Sequence, residues 1–243
     1  MARDFNGTSD LIDLGSPAAL DDLGGVGGPN TFTAWINPDT VGEGNLGRMY
    51  DKAVFLQFRL GTAANPRLTH QPGSWSTTVP NANSANDTIV LGVWQFVAGT
   101  FTAGDGGPRL WRGTPSVSVA ELSYAARTAE AGTASSDAAD NAIIGNNPGA
   151  TRTFDGRIAF LSAYGADLSE SGAQTWRLDA LRLWPFAPWH KFSVGALAGH
   201  WPLWESDAAV ARDYSGNDSH GTVTGTVVTE GPQLPLLRGG VHQ

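Results

Sequence analysis

Apolar and polar residues alternate with a period of two along much of the chain. In Thr31-Phe32-Thr33-Ala34-Trp35-Ile36-Asn37 the pattern places Phe32, Ala34 and Ile36 on one face, and Ser116-Val117-Ser118-Val119 repeats it in simpler form. Successive strand side chains point to opposite faces, so this period predicts strands with one buried face. Residues 93–101 (VWQFVAGTF) are apolar on both faces, which predicts a central strand covered by a second layer. Further strands are predicted at 54–60, 88–91, 109–111, 142–144, 157–164 and 220–228.

Turn-forming residues punctuate the pattern at Asn37-Pro38-Asp39, Gly104-Asp105-Gly106-Gly107-Pro108, Asn146-Asn147-Pro148-Gly149 and Ser215-Gly216-Asn217. Many short strands separated by such turns predict a sandwich or jelly roll. The stretches 61–87 and 125–141, rich in Gly, Ala, Ser and Asn, read as long surface loops. Helical spacing is confined to 168–183, where Trp176, Leu178 and Leu181 with Arg177 and Arg182 predict a short amphipathic helix over a sheet edge. Ser169 is its expected N-cap. One domain is expected over residues 1–231, followed by a tail, 232–243, that docks on this domain or on a neighbour.

Composition narrows the picture. With 31 Gly and 14 Pro the chain cannot be a helical bundle, and 41% apolar residues with nine Trp supply a substantial core. The charge is acidic, 15 Lys+Arg against 23 Asp+Glu, and no basic stripe is present, so no nucleic-acid partner is expected. Only Lys52 and Lys191 are lysines, against thirteen arginines, a bias that with abundant Ala and Gly suggests a GC-rich genome. There is no Cys, hence no disulfide or zinc-thiolate site. Residues 1–20 hold three Asp and no apolar run of signal-peptide length, and no stretch reaches 18 consecutive apolar residues; neither a leader nor membrane insertion is expected.

Read in order, several short signatures form a known series: Phe5-Asn6-Gly7, Thr31 to Pro38, Trp94 to Phe101, Ile144-Gly145-Asn146, Phe154-Asp155-Gly156-Arg157-Ile158-Ala159, Leu168-Ser169-Glu170, Trp201-Pro202-Leu203 and Asp213 to Gly221. Their order and spacing resemble the laminin-G-like, concanavalin A-like jelly roll superfamily over nearly the whole chain. The resemblance implies an all-β, concanavalin A-like (laminin-G-like) jelly roll β-sandwich with one short helix. It leaves function open, because this fold hosts lectins, adhesion modules, glucanases and capsid parts.

Glucanases sharing this fold carry a Glu-x-Asp-x-x-Glu type strand motif, and glycoside hydrolysis needs two carboxyl groups. Here six Glu occur, and Glu205-Ser206-Asp207 approaches the motif without a second Glu. The five His show no metal-ligand spacing and no Gly-x-Ser-x-Gly elbow is present, so no catalytic residue is expected. Sugar binding calls for exposed aromatic faces beside polar groups. Trp75, in a polar segment, is the first candidate, followed by Trp111 and Trp189; Trp35, Trp94 and Trp201 read as core. The cluster Trp184-Pro185-Phe186-Ala187-Pro188-Trp189 is expected to pack. No cofactor is required, but the resemblance allows Ca²⁺ at the sandwich rim, held by hard oxygen ligands. Its candidates are Asp155, Asn146, Asp213 and Asp218, with Asp51, Asp105 and Asn147 also in presumed loops.

The arrangement also looks like that of phage minor tail and capsid-surface proteins. The expectation is therefore a non-enzymatic bacteriophage virion protein, tail-tip or fibre-associated, that contacts host-surface glycans and other virion proteins as an oligomer or assembly component. It would be made in the host cytoplasm without a signal peptide. A capsid decoration protein binding neighbouring shell subunits and a bacterial carbohydrate-binding lectin are the alternatives.

Overall fold

The computed structural model describes residues 1–26, 28–52, 56–62, 64–169, 175–186, 196–207 and 209–234. In chain order the first strands are β1 (Ala2–Asn6), β2 (Leu11–Asp13), β3 (Asn30–Pro38), β4 (Arg48–Lys52), β5 (Leu56–Gly61), β6 (Arg67–Pro72) and β7 (Asn81–Ser84). They are followed by β8 (Gln95–Phe101), β9 (Arg109–Gly113), β10 (Ala120–Glu121), β11 (Tyr124–Thr128), β12 (Ala142–Ile144) and β13 (Asp155–Tyr164). The helix α1 (Thr175–Leu183) precedes β14 (Leu197–Trp201), β15 (Val210–Ala211), β16 (Gly221–Thr224) and β17 (Val227–Thr229).

The strands form two antiparallel sheets. One has eight strands in the order β10-β9-β8-β3-β13-β1-β17, with β14 also on β13; the other has nine, β11-β7-β6-β5-β4-β12-β2-β16-β15. The alternation in β3 dictates its place. Phe32, Ala34 and Ile36 enter the core between the sheets, where Phe32 meets Tyr50 at 4.6 Å between ring centroids. Gly99 on β8 is held to glycine by this packing, since a Cβ there would lie 2.7 Å from the His70 ring.

The opposite face of β3 builds a second core. Trp35, Phe96, Ala98, Trp111 and Ala159 pack beneath Leu178 and Leu181 of α1. Residues 95–101 thus form a strand covered on both sides, as their sequence predicts, whereas Val93 and Trp94 of the expected strand 93–101 precede it and Val93 is exposed. The indole N–H groups of the buried tryptophans are satisfied: Trp35 donates to the Arg182 carbonyl (3.2 Å), Trp111 to Thr100 Oγ1 (3.2 Å) and Trp201 to the Ser219 carbonyl (2.8 Å). Among the described residues no helix is long and apolar enough to cross a membrane.

Several sequence expectations are corrected. Residues 116–119 and 88–91 are not strands; Gln95 donates through Nε2 to the Val90 carbonyl (2.7 Å), holding the latter segment as a turn. Residues 220–228 split between the sheets, with β16 in one and β17 in the other, because Gly225 turns the chain at φ +85°. The supposed loop 61–87 contains β6 and β7, and β11 with two isolated bridges, Trp75 to Ala134 and Thr78 to Ala131, orders the supposed loop 125–141. The described helix begins at Thr175, and the start expected after Ser169 falls on 170–174, outside the described residues; Ser169 itself is buried against Thr100 (3.0 Å) and Asp167 (2.6 Å). Trp176 is 55% exposed, whereas Leu178 and Leu181 are buried as expected. Leu234 rests against the outer core; the rest of the expected tail, 235–243, lies outside the described residues.

Candidate functional site

The outer face of the nine-stranded sheet is polar. Along β5, Phe58 and Leu60 point into the core, so Gln57 and Arg59 point outward. Register carries this polarity across neighbouring strands: Asp51 pairs with Gln57 and Gln57 with Gln71, while Arg59 pairs with Thr69 and Thr69 with Asn83. Hydrogen bonds lock the rows, Arg59 Nε donating to Gln57 Oε1 (3.1 Å) and Thr69 Oγ1 to Asn83 Oδ1 (2.9 Å).

A groove of about 400 Å³ opens on this face. Its floor is Arg48, Asp51 and Gln57, and its walls are Asp140 and the turn through Asn147, Pro148, Gly149, Thr151 and Arg152. Asn146 builds that turn. Its Oδ1 accepts from the backbone N–H of Asn147 (2.8 Å) and Arg152 (3.0 Å), and its Nδ2 donates to Thr153 Oγ1 (2.7 Å) and the Asp10 carbonyl (3.3 Å). Asn147 adds a bond from the Thr151 N–H (2.8 Å).

The floor is charged yet withdrawn from water. Arg48 Nε lies 2.9 Å from Asp51 Oδ2, and the two residues are 7% and 2% exposed. Burial pushes the Asp51 carboxyl up to about 7, against the opposing pull of Arg48 and Arg59. Burial, then the neighbouring guanidiniums of Arg48 and Arg67, pushes Arg59 down to about 10. A second depression of about 620 Å³ lies at Pro29, Thr102, Gly104, Asp105, Ala166 and Asp167, but its carboxylates are engaged, Asp105 by Arg109 (2.8 Å) and Asp167 by Thr102 (3.1 Å) and Ser169.

The model of the concanavalin A-like lectin/glucanases superfamily matches residues 6–172. The chain belongs to this superfamily. A proposed carbohydrate-binding protein from Bacteroides ovatus is similar in structure, at TM-score 0.59 and 15% identity over 95% of this chain; this chain spans 60% of that protein's length. The heptameric SAP-like pentraxin of Limulus polyphemus is similar at TM-score 0.45 and 14% identity, over 82% of this chain and 92% of that one. The enzymatically active domain of tailspike protein 2 from bacteriophage CBA120 is similar at TM-score 0.44 and 15% identity, over 72% of this chain and 26% of that one. No curated protein matches the sequence.

Within this sandwich Trp75 and Trp111, two of the residues expected to bind sugar, do not line the groove. Trp111 is 1% exposed in the outer core, held there by its bond to Thr100, so it presents no face to a ligand. Trp75 is half-buried beside its bridge to Ala134 and does not line the groove. Trp189 lies outside the described residues.

The expected calcium ligands are dispersed. Asn146 uses both side-chain atoms in its turn. Asp213 accepts from the N–H groups of His200 (2.9 Å), Ser215 (2.8 Å) and Ser219 (3.0 Å) and from Ser215 Oγ (2.7 Å), which assigns it to the turn before β16. Asp155 accepts from Thr40 Oγ1 (2.7 Å), and Asp218 sits exposed in the same turn as Asp213. Asp51 is a strand residue, not a loop residue. Among the described residues no three His, Asp or Glu side chains are grouped to hold a metal ion.

The groove residues Arg48, Gln57, Thr151 and Arg152 carried no sequence signal beyond the period-two alternation of β5. The expected packing of the aromatic cluster is corrected in part. Phe186 stacks on Trp204 (5.7 Å) and meets Phe160 edge-on (4.9 Å), yet Trp184 and Phe186 remain about half exposed.

Proposed function

We propose that this chain is a non-enzymatic glycan-binding module, and that the groove on the nine-stranded sheet is its sugar site. The observation that carries this reading is the concentration of fixed hydrogen-bonding side chains in one concavity. Gln57, Asn147, Thr151, Asp140 and the Arg48–Asp51 pair line a single groove whose floor is rigid sheet. A hydroxyl-rich ligand needs convergent donors and acceptors held in place before it arrives. The groove contains no Glu, and Asp51, one of its two carboxylates, is already engaged by Arg48, a poor arrangement for paired acid and nucleophile. Binding needs no cofactor in this reading.

The module is further proposed to serve on a bacteriophage virion, at the tail tip or a fibre, with other virion proteins and host-surface glycans as partners. That part rests on the sequence resemblance and on the Arg-rich, Lys-poor, Cys-free composition. The test is an array of bacterial glycans and cell-wall fragments probed with labelled full-length protein, in calcium and in chelator. Selective binding in both conditions, lost in Gln57→Ala/Asn147→Ala and without release of reducing sugar, is expected. Binding only in calcium overturns the metal-free site, and release of reducing sugar overturns the non-enzymatic reading. Silence across the array transfers the protein to the capsid-decoration role.

A further inference from the structure

We infer that the ligand of this groove is an anionic saccharide, whose acidic group docks on the guanidinium of Arg48. The inference rests on the glycan-binding reading above and names its substrate class. Arg48 lines the groove and is 7% exposed, with its Nε facing Asp51 at 2.9 Å. Its Nη1 is buried and has no hydrogen-bond partner among the described residues. A buried donor left without an acceptor is costly, and an arginine fork matches an oxyanion through two parallel bonds. The unpaired Nη1 donor of a cation is therefore best matched by an acceptor carrying negative charge.

The charge around the groove points the same way. Arg48 and Arg152 line it, and Arg59 and Arg67 stand on the same sheet face; the opposing charges are Asp51 and Asp140. Arg67 Nε is also buried without a partner. Guanidiniums crowd one another here, on a protein whose net charge is −8. A neutral sugar would leave that repulsion in place, whereas a carboxylate or a phosphate ester would offset it. Gln57, Asn147 and Thr151 line the same groove, where hydroxyl groups of that ligand would meet them.

Titration calorimetry of the full-length protein tests this with four probes: a uronic acid oligosaccharide, a glycerol-phosphate-substituted glycan, a neutral oligosaccharide of equal length and inorganic phosphate. One of the acidic glycans is expected to bind at least tenfold more tightly than the neutral one, and to weaken when salt is raised. The double variant Arg48→Gln/Asp51→Asn removes both members of the pair together, so neither charge is orphaned. It should retain its melting temperature within a few degrees and lose at least tenfold in affinity for the acidic glycan. Arg48→Lys, which keeps charge but not the fork, should lose severalfold. Equal or tighter binding of the neutral oligosaccharide overturns the acidic-ligand inference and leaves the glycan reading standing. Inorganic phosphate binding as tightly as the best glycan overturns the saccharide part. No binding of any glycan overturns both readings.

Discussion

The two sheets of this sandwich share one inner core but have opposite outer faces. On the eight-stranded sheet, Trp35, Phe96 and Trp111 face outward and would be exposed without cover; α1 supplies it through Leu178 and Leu181. Arg182 fastens the helix there, donating to the Thr114 (2.6 Å) and Pro115 (3.1 Å) carbonyls while Asp179 holds its Nε (2.7 Å). On the nine-stranded sheet the outward positions are Asp51, Gln57, Arg59, Thr69 and Asn83, and among the described residues no helix covers them. An apolar outer face obliges the chain to build a third layer, and a polar one leaves a sheet free to present side chains to a ligand. In the proposed reading, stability and binding therefore fall to different faces.

The most severe way to break this division is Trp111→Ala. Removing a fully buried indole from the outer core should lower stability by roughly 3–5 kcal/mol, read by denaturant unfolding. At temperatures where the variant stays folded, its affinity for glycan should match that of the parent. Gln57→Ala, on the other face, should show the reverse pattern, with loss of binding and a smaller stability loss of about 1–3 kcal/mol as Arg59 Nε loses its acceptor. If Trp111→Ala weakened binding in the folded protein as much as Gln57→Ala, the two faces would not be separate in function.

A smaller effect is expected at Asn146, which builds the groove wall without lining the groove. Asn146→Ala removes bonds to two backbone N–H groups, a hydroxyl and a carbonyl, for a stability loss of about 1–3 kcal/mol. Affinity should fall as the turn from Asn147 to Arg152 loosens. Asn146→Asp restores only the acceptor side, so it should recover the bonds from the Asn147 and Arg152 N–H groups and part of the affinity. A variant that lost stability but kept full affinity would show that the groove does not depend on this turn.

The same contrast explains what could be read from sequence. β3, β8 and β13 were legible because their apolar residues repeat at strand spacing on at least one face. The strands β6 and β7 were not, and residues 61–87 read as loop. Their inward residues include His70 and Ser84 beside Leu68 and Ala82, so no apolar rhythm marks them. His70 is at home in the core because its neutral ring has one N–H to donate and two acceptors beside its nitrogens, Asn30 Oδ1 (3.0 Å) and the Gln57 carbonyl (3.3 Å). Those partners come from β3 and β5, 40 and 13 residues away along the chain, so register alone reveals them. The candidate site was hidden for a related reason. Tryptophans drew attention to sugar binding, and the strand position of Trp111 buried it. Asn146 and Asn147 were singled out as oxygen ligands, and in the structure their side chains shape a groove wall by hydrogen bonding.

The finest test sets a titrating group of the inner core against one on the polar face. Burial pushes His70 down to about 3 and His200 down to about 4, so both stay neutral in the native state where the unfolded chain takes up protons. Their contribution therefore falls as pH drops below about 6.5. Asp51 acts in the opposite direction. With its native carboxyl pushed up to about 7, the folded protein holds a proton that the unfolded chain releases, between roughly pH 4 and 7. Its contribution thus rises as pH falls through that window. In the parent the two trends partly cancel between pH 7 and 5. Asp51→Asn removes the rising one, so unfolding free energies measured at steps across that range should fall more steeply in the variant. The slopes should differ by about 1.4 kcal/mol per pH unit at most, the value for one proton. Parallel curves would mean that Asp51 titrates alike in both states, and that the Arg48 pair fully offsets its burial.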